Sequence, residues 1–198
     1  MSHPLRCRCG TLQGHIVPTV GATRAVCYCK DCQAYARFLG TPGVVDADGG
    51  TEVVALVPGR LQFTAGLEAL ACLSLSERGI FRWYASCCGT PVANTPRDPK
   101  LPYAGVIRSC LESGSPSVED SFGKRRMAVN TGSALHPVAS APIANVFGGI
   151  ALVSSLLGAR LSGAYKTNPF FVPGTRTPIR PPRVLSAAER ERAYRADA

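Results

Sequence analysis

Apolar and polar residues alternate in short runs along the first half of the chain. In "TLQGHIV" (11–17), Leu12, Gly14 and Ile16 share one side. In "LACLSLS" (70–76), Leu73 and Leu75 stand against Ser74 and Ser76. A period of two is the signature of a half-buried strand. "GIFRWYA" (79–85) follows a polar turn at Glu77 to Gly79, and "YAGVIRSCL" (103–111) closes the series. "TEVVALV" (51–57) and "RLQFTAG" (60–66) flank Pro58-Gly59, which predicts a hairpin. The spacing predicts one short helix, over 31–38. With 20 Gly and 16 Pro to make turns, residues 1–112 read as a mainly β domain of short antiparallel strands.

The pattern changes at Glu112. "ESGSPSVEDS" (112–121) reads as a linker, and no charged residue occurs from Met127 to Ala159. Within that stretch Val146, Ile150, Val153, Leu157 and Leu161 recur at helical spacing, predicting an apolar helix over 145–161. Gly148, Gly149, Ser154 and Ser155 interrupt it. Its dense part is about 15 residues, short of the roughly 20 that a span needs. The expectation is therefore no transmembrane segment, but a helix packed on the domain or at a homodimer contact, with a membrane-surface helix as the alternative. A Pro-rich segment (168–185) should run extended, pinned by Phe170 and Phe171. "SAAE" (186–189) is a capping box, predicting a terminal helix over 187–196. Residues 113–198 thus read as a C-terminal extension packed on the first domain.

Charged residues are 18% and hydrophobic ones 45%, the balance of a soluble globular chain. The formal charge is +9. The longest basic run is "KRR" (124–126), with no interleaved aromatics, so nucleic-acid binding has little support. "MSHPLRCRCG" has no apolar stretch and does not read as a secretory signal. A reducing, cytoplasmic setting is expected, where nine cysteines serve better as metal ligands than as disulfides.

The cysteines fall into three groups: "CRCG" (Cys7, Cys9), "CYCKDC" (Cys27, Cys29, Cys32) and "SCCGT" (Cys87, Cys88). Cysteines at i and i+2 of an extended segment project both sulfurs to one side. The following Gly10 permits a tight turn that lets amides face the thiolates. Zinc takes such thiolates in tetrahedral sets, whereas the spacing fits none of the common iron–sulfur patterns. Cys72 and Cys110 lie alone in strand patterns and read as small buried hydrophobes.

"CRCG", then "CYCKDC", a strand-rich stretch and an aromatic strand ending in "CCGTP" resemble the glutathione-dependent formaldehyde-activating enzyme family, which includes centromere protein V. The resemblance covers roughly residues 5–112 and looks like a divergent branch with a C-terminal extension. It implies a zinc-bearing β-tent-like fold with two zinc sites. A structural zinc would use Cys7 and Cys9 with the third motif. A second would use Cys27, Cys29 and Cys32 and keep its fourth position open. The chemistry implied is carbon–sulfur lyase-like, joining glutathione and formaldehyde in the reverse direction, with zinc as cofactor and a small thiol and aldehyde as partners.

The third motif departs from the family. The family has Cys-x2-Cys-Gly; aligning Cys88-Gly89 puts Ala85 at the first cysteine position, with Cys87 beside Cys88. The structural set is then Cys7, Cys9, Cys87 and Cys88, or three thiolates with a substitute such as His3 or His15. Asp31 is the candidate proton carrier beside the open site, or else the cap of the short helix. Lys30 and Arg37 are candidates to meet glutathione carboxylates, while Tyr28 and Trp83 would pack near the sites. The rival to the enzyme reading is a zinc-stabilised interaction domain without catalysis.

Overall fold

The computed structural model describes residues 1–111, 116–124 and 126–195. In chain order the elements are β1 (His3–Arg6), β2 (Gln13–Ile16), β3 (Thr23–Cys27), α1 (Lys30–Leu39), β4 (Thr51–Leu56), β5 (Leu61–Ala65), β6 (Leu70–Ser74), β7 (Phe81–Ala85), β8 (Thr90–Thr95), β9 (Ala104–Ile107), α2 (Val118–Phe122), β10 (Arg126–Val129), α3 (Pro142–Leu161), β11 (Pro182–Val184) and α4 (Ala187–Tyr194). They form a three-stranded sheet ordered β1-β2-β5 and an eight-stranded sheet ordered β10-β3-β4-β9-β8-β7-β6-β11. The outermost strands β10 and β11 run parallel to their neighbours, and all other pairs are antiparallel. The protein is mainly β with a few helices, as the alternation predicts.

The hairpin expected around Pro58-Gly59 does not form. β4 pairs with β3 and β9, while β5 pairs with β2 in the other sheet. Residues Val53 to Leu56 are all buried, so β4 belongs inside a sheet with a partner on each side. β5 is mostly exposed beyond Leu61, as an edge strand is. The turn at Pro58–Arg60 is a single 3-10 turn that carries the chain from one sheet to the other. The linker expected at 112–121 also changes. Residues 112–115 lie outside the described set, but Ser117 and Asp120 form a capping box that starts α2.

The core lies between the sheets. Leu5 and Ile16 of the small sheet, with Leu12 from the turn between β1 and β2, meet Val54, Leu70, Trp83 and Val106 of the large one. Phe170 packs 4.9 Å from Trp83, ring to ring, and Phe171 lies 6.0 Å from Phe81, which pins the Pro-rich segment as expected. Cys72 and Cys110 are buried in this core.

α1 ends at Gly40, whose φ of 63° is the left-handed closure that favours glycine. α3 begins at Pro142, three residues earlier than predicted, because proline suits the first helical position. Asn145 fastens α3 to β10: its Oδ1 accepts from the Ala128 amide and its Nδ2 donates to the Ala128 carbonyl, both at 2.9 Å. α4 carries the predicted Ser186–Glu189 capping box and packs on α1, where Arg37 donates to the Ala193 carbonyl at 2.8 Å. The expected end of this helix at 196 falls outside the described residues.

Candidate functional site

Seven cysteines gather into two clusters. In the first, Cys7 and Cys9 follow β1 and Cys87 and Cys88 occupy the β7–β8 turn. All four sulfurs lie within 4.8 Å of one another. Cys9 to Cys87 is 3.3 Å, Cys7 to Cys9 3.5 Å, Cys7 to Cys87 3.8 Å and Cys87 to Cys88 3.9 Å. A tetrahedral zinc with bonds of about 2.3 Å spaces its sulfurs roughly 3.8 Å apart. Four thiolates at these separations fit a closed zinc site.

Two turns build it. Gly10 takes a φ of +82°; the Leu12 amide then donates to Cys7 Sγ at 3.3 Å, while Thr11 Oγ1 lies 3.3 Å from Cys9 Sγ. Gly89, at φ +71°, lets the chain double back so that its amide and that of Cys88 both reach the Ala85 carbonyl. That bend is what aims two adjacent cysteines at one point. Ala85 itself is buried in the core. Hydrogen bonds from Thr11, joined by Cys87 and Cys7, hold the Cys9 thiol down at about 6, and burial followed by the neighbouring sulfurs pushes Cys87 up to about 12.

Neither histidine joins the cluster. His3 is buried between Ser121 Oγ (2.7 Å) and the Leu111 carbonyl (2.9 Å). His15 faces Gln62 across the β2–β5 pair at 3.1 Å. Cys88 takes the place that either would have filled.

The second cluster is Cys27, Cys29 and Cys32, whose sulfurs again lie within 4.8 Å of one another. Cys27 ends β3. Cys29 is the N-cap of α1, its sulfur accepting from the Cys32 amide at 3.4 Å; the cap is thus Cys29 and not Asp31. The helix N-terminus presents its partial positive charge to these sulfurs. Hydrogen bonds from Cys29 and Cys32, aided by Asn130 Nδ2 at 3.4 Å, hold Cys27 down at about 2. The same bond to Cys27 raises Cys29, and Cys32 is raised well above the usual thiol range. Cys27 is thus the thiolate of the trio, with Cys29 and Cys32 as thiols donating to it. Among the described residues no fourth cysteine, histidine or carboxylate completes the set. Cys32 is buried, while Cys27 and Cys29 are partly exposed and open to solvent.

Residues remote in sequence surround this trio. Arg82 on β7 is 2% exposed. Its guanidinium lies 3.8 Å from Cys32 Sγ, 3.6 Å from Asp31 Oδ2, 3.4 Å from Asn94 Oδ1 and 5.3 Å above the Tyr35 ring. Tyr103 is pushed up to about 12, first by burial and then by the neighbouring sulfurs of Cys32 and Cys27. Asp31 accepts from the Tyr194 hydroxyl at 2.7 Å. Lys30 is exposed beside the cluster, whereas Arg37, near the other end of α1, is engaged with Ala193. Tyr28 is buried under the cluster loop, and Trp83 lies in the core.

α1 connects the two clusters. Its N-terminus carries the trio, and just past its C-terminus Thr41 Oγ1 donates to the Gly89 carbonyl at 2.7 Å. A ten-residue helix spans about 15 Å.

A crystal structure of a Rhodobacter sphaeroides protein, a structural-genomics target, is similar at 20% identity over 62% of this chain and 97% of that chain, with a TM-score of 0.39. No curated protein matches. The profile of a family of unknown function matches residues 1–128, from before the first cysteine pair to within β10 and across both clusters. On that match, the chain belongs to the family of unknown function DUF6151.

Proposed function

We propose that the protein is a zinc-dependent, carbon–sulfur lyase-like enzyme acting on the adduct of a glutathione-type thiol with a small aldehyde. One observation carries this reading: a four-sulfur cluster stands beside a separate three-sulfur cluster that solvent reaches. Structural zinc sites are closed with four protein ligands, whereas catalytic ones keep a position open. The resemblance to the glutathione-dependent formaldehyde-activating enzymes supports the same assignment.

Cys27, Cys29 and Cys32 would hold the catalytic zinc. When bound, the metal supplies Lewis acidity and lowers the pKa of a thiol or water. In the synthetic direction the thiol gives up its proton to a base, its sulfur bonds to the aldehyde carbon, the carbonyl π pair moves to oxygen, and that oxygen takes the proton from the protonated base. The chain's own residues serve this step in three ways. Arg82 holds a fixed positive charge behind Cys32 and offsets the charge of the thiolates. Asp31, oriented by Tyr194 and Arg82, is the carboxylate placed to move the proton. Lys30, exposed at the rim, is placed to meet a carboxylate of the thiol substrate.

Thiol–aldehyde turnover by zinc-verified protein tests the reading. Cys29→Ala should abolish turnover and remove one zinc per chain. Unchanged turnover would rule the mechanism out. A second reading, a zinc-stabilised interaction domain, draws on a different feature, the outward apolar face of α3.

A further inference from the structure

α3 is amphipathic in the inverted sense. Its small and polar positions Asn145, Gly148, Ser155 and Ala159 are at least partly buried. Asn145 is bonded to β10, and Gly148 packs so closely on Met127 that an added Cβ would come within 2.6 Å of it. Most of its large apolar residues point outward, Leu152 and Leu156 being partly buried. Ile143, Val146, Phe147, Ile150, Val153, Leu157 and Leu161 are each 58–82% exposed. They form a stripe about 27 Å long at 1.5 Å per residue. Seven such side chains make a patch of several hundred Å², at or beyond the largest usual on a soluble monomer.

The charge around this stripe is one-sided. Between Asp120 and Glu189 the chain has eight basic residues and no acidic one. Lys124 precedes the helix, and Arg160 and Lys166 close it; all three are exposed, whereas Arg126 is paired with Glu52 at 3.1 Å. Arg160 lies 4.8 Å over the ring of Tyr165, an amphipathic residue of the kind that settles at a membrane–water boundary.

We propose that α3 docks flat on an anionic membrane surface, with its apolar stripe at the acyl boundary and the flanking basic residues at the headgroups. A helix of this kind binds through buried apolar area together with attraction to acidic lipid. A second copy of the chain fits less well. In a two-fold dimer the same patch faces itself, so Lys124, Arg160 and Lys166 at its ends would meet like charge, the nearby Glu52 being already engaged by Arg24, Arg108 and Arg126. The stripe also carries no hydrogen-bonding register. Crossing the bilayer would strip Asn145 of its two bonds to Ala128. The proposal is independent of the metal clusters, although β10, which seats the helix, leads directly to Asn130 beside Cys27.

The test is co-flotation of the full, zinc-loaded chain with vesicles of phosphatidylcholine, with and without phosphatidylserine, alongside light scattering without lipid. The expected result is a monomer that floats only with phosphatidylserine and is released by high salt. Phe147→Ser with Ile150→Ser should abolish flotation while zinc content stays unchanged, since both side chains face solvent. Arg160→Glu with Lys166→Glu should weaken flotation about tenfold or more. Three results would overturn the proposal: no flotation with either vesicle, equal flotation with both, or a dimer that ignores vesicles and dissociates in the Phe147/Ile150 variant.

Discussion

The guanidinium of Arg82 lies 3.8 Å from Cys32 Sγ, and both side chains are buried. A buried guanidinium needs negative charge nearby, and its carboxylate partner Asp31 is 3.6 Å away and half exposed. The thiolates of the three-sulfur cluster supply the rest. Arg82→Leu should therefore weaken zinc at that cluster roughly 10–100-fold, the usual cost of losing a supporting group around a metal. Competition with a chromogenic chelator should show a second, tighter zinc unaffected, and Arg82→Lys should recover part of the loss. Equal weakening of both sites would mean a general folding defect.

The four-sulfur cluster ties β1 to the β7–β8 turn, and metal binding there is folding free energy. Cys88→Ser should remove one zinc per chain. Taking a loss of about 4 kcal/mol and 2–4 °C per kcal/mol for a chain of this size, the melting temperature should fall by roughly 10 °C. Calorimetry of the reduced protein checks this.

Gly89→Ala tests how adjacent cysteines share one metal. At φ +71° the new Cβ would meet Thr41 Oγ1 at 3.0 Å. A left-handed alanine costs about 1–2 kcal/mol, so chemical denaturation should show at least that loss, with weakened zinc at Cys87 and Cys88. An unchanged midpoint would show that the turn does not need this conformation.

In metal-free, reduced protein the trio should react unevenly. Cys27 is held down at about 2 by its thiol neighbours, while Cys29 and Cys32 are raised. The thiolate is the nucleophile, and its neighbours hold Cys27 in that form well below the ordinary thiol range. Iodoacetamide should thus label Cys27 first, at a rate nearly flat from about pH 5 to 8, where an ordinary thiol with a pKa near 8.5 speeds up about tenfold per unit. A steep pH dependence at Cys27, followed by peptide mass spectrometry, would contradict the arrangement.

Much of this was legible in the sequence. The cysteine groups, α1, the apolar helix and the Ser186 capping box all rest on local chemistry, which short stretches carry. β8 was not legible: it opens with Thr90-Pro91 and is buried at every position, so it shows no alternation. β10 and β11 are short and exist as strands because they complete the two edges of the large sheet. The supposed hairpin at Pro58-Gly59 failed because local turn chemistry cannot say which sheet each strand joins. Around the trio, Arg82 and Asn130 stand 50 and 103 residues from the cysteines they touch. An arginine between Phe81 and Trp83 has the pattern of an outward strand position; only the covering α1 buries it.

The central claim is two zinc sites of different kinds, one closed and one open. Elemental mass spectrometry on reductively purified protein, before and after glutathione, addresses it most directly. The account predicts two zincs per chain: Cys88→Ser loses one, Cys27→Ser loses the other, and glutathione perturbs only the one that Cys27→Ser removes. A single zinc, lost with Cys88→Ser and indifferent to glutathione, would contradict it.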